Sequence, residues 1–201
     1  MAKNSSLKLS LLVIGIVAVV MIRFFPSLDL PTSNFSTVAT AIESVTPPPL
    51  IQARSGIPVH IKIPSINIDT AIEQVGIAPD GTMDVPKMPE NTAWFDLGPR
   101  PGELGSAVID GHSGYKDNKP AVFDNLNKLQ KGDKIYVEDE FGVTNTFVVR
   151  ELRSYDPKAD ASTIFGSNDN GIHLNLITCS GTWNETERTH SDRLVVFADK
   201  E

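Results

Sequence analysis

Cys179 is the only thiol in a chain of 201 residues, so any cysteine chemistry must fall to it. A lone cysteine pairs between chains, reacts, or is simply buried, and composition alone does not separate these outcomes. The neighbourhood says more. Leu174-Asn175-Leu176-Ile177-Thr178 reads as a strand that Cys179 closes, and Ser180-Gly181 breaks it at once. Strand ends that open into loops are where a rigid scaffold holds reactive groups. A thiol attacks as thiolate, which near neutral pH requires a base or a cation close by. His60 lies inside an alternating run and reads as a half-exposed strand residue. His173 opens the strand of Cys179, on the same face but six residues away, about 20 Å along the strand. His190 stands in a polar stretch and reads as solvated. His112 differs: in Val108-Ile109-Asp110-Gly111-His112-Ser113-Gly114 it sits just past a strand, flanked by glycines. Those glycines let the backbone turn sharply and leave the imidazole accessible.

Such residues need strands to hold them, and the sequence supplies many short ones. Val59–Ile63 alternates, Pro64 interrupts, and Ile66–Asp69 alternates again. Asp80-Gly81 marks a turn, and Ser106–Asp110 is a short apolar run behind a Pro/Gly-rich loop. Phe123, Leu126 and Leu129 predict one short helix ended by Gly132. Lys134–Glu138 and Thr146–Leu152 read as a hairpin around Glu140-Phe141-Gly142. His173–Cys179 and Arg193–Ala198 are the last two strands. Strands at this spacing, with one or two brief helices, predict an all-β barrel or sandwich.

Composition narrows the function. Lys and Arg number 18 against 25 Asp and Glu, a net charge of −7. No basic stripe is available to neutralise phosphates, which excludes nucleic acid as a partner. One cysteine excludes a disulfide framework and a Cys-rich zinc site.

Residues 1–25 read as a membrane anchor. Lys3 and Lys8 precede the apolar Leu9–Ile22, and a helix over Leu7–Phe25 is about 28 Å long, enough for a bilayer core. The cationic flank lies upstream, so the positive-inside rule places the remaining chain outside the cell. The competing reading, a signal peptide cut at Ala39-Thr40-Ala41, puts the cleavage site 16 residues past the apolar stretch, further than usual. Residues 26–55 are rich in Pro, Ser and Thr and read as a linker spanning about 30 Å if flexible. The folded domain is expected over residues 56–201.

Taken together, Asp110-Gly111-His112-Ser113-Gly114 after one strand, Ile177-Thr178-Cys179 ending a later one, and a closing Asp192-Arg193-Leu194-Val195-Val196-Phe197-Ala198 resemble the sortase family of cell-wall transpeptidases. The resemblance covers roughly Ile57–Ala198 and includes Ile63-Pro64, Pro101-Gly102, Gly105 and Gly132-Asp133. The family pattern Thr-Leu-x-Thr-Cys is here Asn175-Leu176-Ile177-Thr178-Cys179, with Asn in place of the first Thr. The resemblance implies a closed eight-stranded all-β barrel whose Cys, His and Arg converge in a groove. Carried over by position, Cys179 is the nucleophile, His112 the general acid/base, Arg193 the oxyanion-stabilising cation, and Thr178 a substrate-orienting residue. It implies a substrate with a Leu-Pro-x-Thr-Gly-like sorting signal, cut between Thr and Gly through a thioacyl intermediate. The acceptor is an amine of a cell-wall precursor or a pilin-type subunit. Some family members use calcium, and Glu185, Glu187 and Asp192 could supply oxygens, but without ligand spacing they read as solvated acids and no cofactor is expected.

Two arginines compete for the cationic role. Arg188 is flanked by acids in Glu185-Thr186-Glu187, whereas Arg193 opens the final apolar run, where alternation groups it with Val195 and Phe197 and points it inward if Phe197 faces the core. Arg193 is the expected residue. Two other functions stay open. L,D-transpeptidases also place His before Cys, but with Ser-x-Gly-Cys shortly after the histidine; here the two are 67 positions apart and Thr178 precedes the cysteine. A membrane-tethered β-barrel for adhesion, with an inert buried Cys179, is the non-enzymatic alternative.

Overall fold

Alternation between water and core builds each strand. Pro58–Ile63 (β1) points Ile61 and Ile63 inward, and Pro64 ends it because proline cannot donate to the ladder. A single 3-10 turn, Pro64–Ile66, then leads through Asn67 in the left-handed region (φ 55°) into Ile68–Val75 (β2). Thr92–Phe95 (β3), Gly105–Gly111 (β4), Lys134–Asp139 (β5), Thr144–Tyr155 (β6), Ile172–Asn184 (β7) and Thr189–Lys200 (β8) follow. The structure, a computed structural model, describes residues 55–114, 120–186 and 189–201. The expected anchor and nearly all of the linker lie outside the described residues, as do Glu187 and Arg188. No described helix is long and apolar enough to cross a membrane.

The eight strands close into a barrel, as the resemblance implies, and their order is β1-β2-β3-β4-β7-β8-β6-β5. Closure gives every strand a neighbour on both sides within the barrel, and only the β7–β8 extension runs beyond it. Six of the eight contacts are antiparallel; β2–β3 and β4–β7 are parallel. The barrel is filled by Ile61, Ile63, Ile109, Ile135, Phe147, Leu174 and Leu176, all fully buried. Each contributes on the order of 1.5–3 kcal/mol of apolar burial.

Two local expectations change. Phe123, Leu126 and Leu129 do not lie on an α-helix; the helical part is one 3-10 turn, Leu126–Lys128. Their spacing of three matches the 3.0-residue period of that turn, which stacks all three side chains against the core. The last two strands are also longer than their apolar cores. Beyond Cys179 and before Arg193 the backbones stay paired, through Ser180 with Asp192 and Trp183 with His190. Ser180-Gly181 is thus a bulge within β7 rather than its end: Gly181 takes φ +77° and the register shifts there. Asp192 and His190 consequently stand in β8, while Glu185 lies in the turn between the strands.

The outer face of β4, β7 and β8 is covered by the β6–β7 segment, residues 156–171, whose one helical turn is Ser162–Phe165 (α1). Ile164 packs there on Val195 and Phe197, flanked by Tyr155, Ala161 and Ile177. Phe197 is therefore buried outside the barrel, not in its interior. Arg193 shares that outer face, which revises the inward orientation expected from alternation.

Candidate active site

Parity along the strands decides which side chains meet. In β7, Leu174, Leu176 and Thr178 fill the interior, leaving Ile177 and Cys179 on the outer face; in β8, Leu194 and Val196 go in and Arg193 stays out. Cys179 and Arg193 stand directly opposite each other across the β7–β8 ladder. In the parallel β4–β7 ladder the last backbone pair is Asp110 with Ile177. Past that pair, side chains take over. Thr178 Oγ1 donates to the Gly111 carbonyl at 2.7 Å, and Ser113 Oγ donates to the Cys179 carbonyl. His112 lies between these two ties, so its backbone is fixed relative to the thiol from both sides. Gly111 is required here because an added Cβ would come within 2.5 Å of Phe123. Thr178, expected to orient substrate, is 2% exposed and spends its hydroxyl on the strand that carries His112.

Cys179, His112, Arg193 and Asp110 all line a groove of about 650 Å³. Its apolar lining comes from Ile77, Met83, Val85 and Phe95 together with Ile164 and Phe165 of the β6–β7 segment. His112 Nε2 lies 2.9 Å from the Pro86 carbonyl. A carbonyl oxygen only accepts, so this contact assigns the hydrogen to Nε2.

The electrostatics oppose a free thiolate. Partial burial pushes the Cys179 thiol above its ordinary value; the Arg193 cation pulls it down and Asp110 pushes it further up. Burial likewise raises the Asp110 carboxyl to about 6, although the positive charges of His112 and Arg193 and a hydrogen bond from the Gly111 N–H act against it. A raised acid pKa means that ionised Asp110 weakens the fold, a penalty absent below about pH 4 and complete above about pH 6. Asp110→Asn should therefore melt higher than wild type at pH 7, by about 1–2 kcal/mol, and match it near pH 3.5. Thermal denaturation at the two pH values checks this; equal stability at pH 7 contradicts it.

Arg193 is held by its own hairpin. Its guanidinium donates to the Asp192 carbonyl at 3.1 Å, to Thr189 Oγ1 at 3.2 Å and to the His190 carbonyl at 3.4 Å. Such a fork uses several donors with fixed directions, which an ammonium cannot copy. Arg193→Lys should lower kcat/KM at least tenfold, about 1.4 kcal/mol of transition-state stabilisation. Wild-type kinetics in that variant would assign Arg193 a merely structural role.

The remaining histidines do not line this groove, although His190 and Cys179 both border a second cavity. His60 pairs with Asp69 at 3.0 Å on the barrel surface. His190 meets the edge of Trp183, its ring centroid 5.3 Å away, in the β7–β8 extension. His173 is engaged by Asp169 and Asp199 at the far end of β7. No group of three or more His, Cys, Asp or Glu among the described residues is arranged to hold a metal. The sequence reading did not single out Asp110, Ser113 or Pro86. For Asp110 a signal existed: an acid directly after the apolar Ala107–Ile109 at a strand end. Pro86 approaches His112 only through tertiary folding and left no such sign.

Residues 61–201 match the family model of the sortase domain. Among solved structures, sortase C-1 from Actinomyces oris is 27% identical, covering 72% of this chain and 74% of that one, with a TM-score of 0.56. A sortase D5 transpeptidase from Clostridium perfringens is 26% identical over 73% of this chain and 79% of its own, TM-score 0.53. Sortase A from Corynebacterium diphtheriae is 25% identical over 74% and 61% of the two chains, TM-score 0.54. No curated protein sequence matches the chain. These structural relatives carry three different class letters, so the similarity points to no single class. With the family model spanning the whole barrel beyond the start of β1, the chain belongs to the sortase family.

Proposed function

We propose that this sortase is a cysteine transpeptidase that cuts a Leu-Pro-x-Thr-Gly-like sorting signal and joins the new Thr carboxyl end to an amine. The observation that carries the reading is the cross-strand pair of Cys179 and Arg193, which lines one largely apolar groove together with His112. The groove has the size and walls to take the apolar residues of an extended peptide. Cys179 Sγ passes its proton to His112 Nδ1 as it attacks the Thr carbonyl carbon, forming the C–S bond, and Arg193 stabilises the charge that develops on its oxygen. The C–N bond to Gly then breaks, with His112 giving the leaving amine its proton. An incoming amine attacks the thioester, returns a proton to His112 and expels the Cys179 sulfur. While Nε2 stays on Pro86, Nδ1 is the nitrogen that exchanges this proton. The acceptor is a cell-wall precursor or a pilin-type subunit, and the domain works outside the cell on the anchor of residues 1–25.

Incubation with a small set of such peptides and a free amine, read by mass spectrometry, tests the proposal. The expected products are the amide of the Thr fragment and a trapped thioacyl adduct on Cys179. Absence of both across the set would refute it.

A further inference from the structure

Outside the reactive groove, one titratable group is bonded on both of its faces. His173 Nδ1 lies 2.7 Å from Asp199 Oδ1 and Nε2 lies 2.8 Å from Asp169 Oδ1, with the imidazole side chain only 11% exposed. A carboxylate only accepts, so both contacts are hydrogen bonds only when both ring nitrogens carry hydrogen, and that species is the imidazolium. The two acids belong to different parts of the fold. Asp199 is in β8 and is itself held by Arg150 of β6 at 3.3 Å. Asp169 belongs to the β6–β7 segment, the same stretch whose Ile164 and Phe165 wall the groove of Cys179.

The fit around the ring is close. Asp169 Oδ1 also accepts from the Gly171 N–H at 3.1 Å, and a Cβ on Gly171 would lie 2.3 Å from His173 Nε2. The Gly171 carbonyl accepts from the Gly105 N–H at 2.9 Å, tying the turn to β4. Elsewhere the segment is secured by the Ile164 side chain, by Asn175 Nδ2 donating to the Ile164 carbonyl at 2.6 Å, and by Phe165 edge-on to Phe95. The Asp169–His173 bond is one of the ties that hold this non-strand segment against the barrel, and local opening of such a segment depends on its ties.

We infer that His173 is a positioning residue whose imidazolium clamps the β6–β7 segment to β8 and so keeps the wall of the reactive groove in place. Only the role of that groove in substrate binding rests on the proposed function. Burial by itself would favour the neutral ring, but the bonds to Asp169 and Asp199 outweigh it and hold His173 above its ordinary value. Asp169 is lowered in turn, chiefly by its bond from His173. The charged groups around the ring are Asp169 from the segment, Asp199 from β8, and Arg150 and Glu151 from β6; β4 presents uncharged Ser106. A raised histidine value makes the clamp complete below about pH 6.5 and weakens it as pH rises through the folded-state value.

The test combines histidine NMR titration, hydrogen exchange corrected for intrinsic rates, and peptide kinetics on wild type, His173→Gln and Asp169→Asn. His173 should titrate above about 6.5, and protection of residues 159–169 should fall between pH 6 and pH 9 in wild type. In both variants protection at pH 6 should already match the wild-type high-pH level. KM for a Leu-Pro-x-Thr-Gly peptide should rise about fivefold with kcat changed less than twofold. Should His173→Gln not fold, Asp169→Asn decides, because that side chain is 66% exposed. Titration at or below the ordinary value, unchanged protection in the folded variants, or an unchanged KM would overturn the clamp. If wild type turns over no peptide at any pH, the proposed function falls, while the NMR and exchange results still decide the clamp.

Discussion

Replacing Cys179 by Ala should reduce transpeptidation by roughly a thousandfold or more and abolish the thioacyl adduct. The reason is stoichiometric: no other thiol exists in the chain to take over the covalent step. The fold should survive. Cys179 is half-buried on the outer face of β7, so the substitution leaves the packed barrel interior untouched and should cost about 1 kcal/mol or less. Far-UV circular dichroism and a melting curve separate loss of chemistry from loss of structure. Residual turnover above a few percent in a folded variant would remove Cys179 from the mechanism. Native thiol labelling gives an independent check: a partly exposed sulfur beside the Arg193 cation should react with a small electrophile, and faster as pH rises, because burial and Asp110 raise its pKa.

His112→Ala should be nearly as damaging, with kcat/KM down by about 10²–10⁴. Loss of the imidazole removes both the donor to the leaving amine and the acceptor for the incoming one. The two ties that flank it, from Thr178 to Gly111 and from Ser113 to Cys179, do not involve its side chain. The thiol should therefore keep its place in His112→Ala. Kinetics together with alkylation of Cys179 distinguish the cases: activity should collapse while the sulfur stays accessible. A variant retaining more than a tenth of wild-type activity would assign the proton transfers to another group. His60→Ala and His190→Ala should each keep most activity.

The barrel was legible because its strands alternate cleanly and its turns carry Gly and Pro. Ile61 and Ile63 against His60 and Lys62, or Leu174 and Leu176 against His173 and Asn175, define an inner and an outer face without any tertiary information. The gathering of Cys179, His112 and Arg193 was legible only in part. Strand-end positions and flanking glycines marked Cys179 and His112, whereas pairing of Cys179 with Arg193 depends on register, which sequence spacing does not fix. What hid the rest was the β6–β7 segment. By covering the outer face it makes Val195 and Phe197 a second core, so an apolar residue on either face of β8 is buried and alternation loses its meaning. The same cover gives Asp110 its raised pKa and Asn175 its bond to Ile164, neither visible in local sequence. The β7–β8 extension escaped notice because its pairing is carried by backbone, with Ser180, Thr182 and Thr189 supplying no apolar signal.

The parallel pairing of β4 with β7 also sets an order of events. Parallel neighbours cannot be joined by a tight turn, and here the partners Asp110 and Ile177 are separated by the whole of β5, β6 and the covering segment. Closing so long a loop is entropically slow, so contacts of this kind form late in folding. Cys179 meets His112 only through that pairing, whereas it meets Arg193 within the consecutive β7–β8 hairpin, a contact local in sequence. A chain with only the hairpin formed would thus hold its thiol beside Arg193 but apart from His112, and reactivity would emerge together with the completed barrel rather than ahead of it.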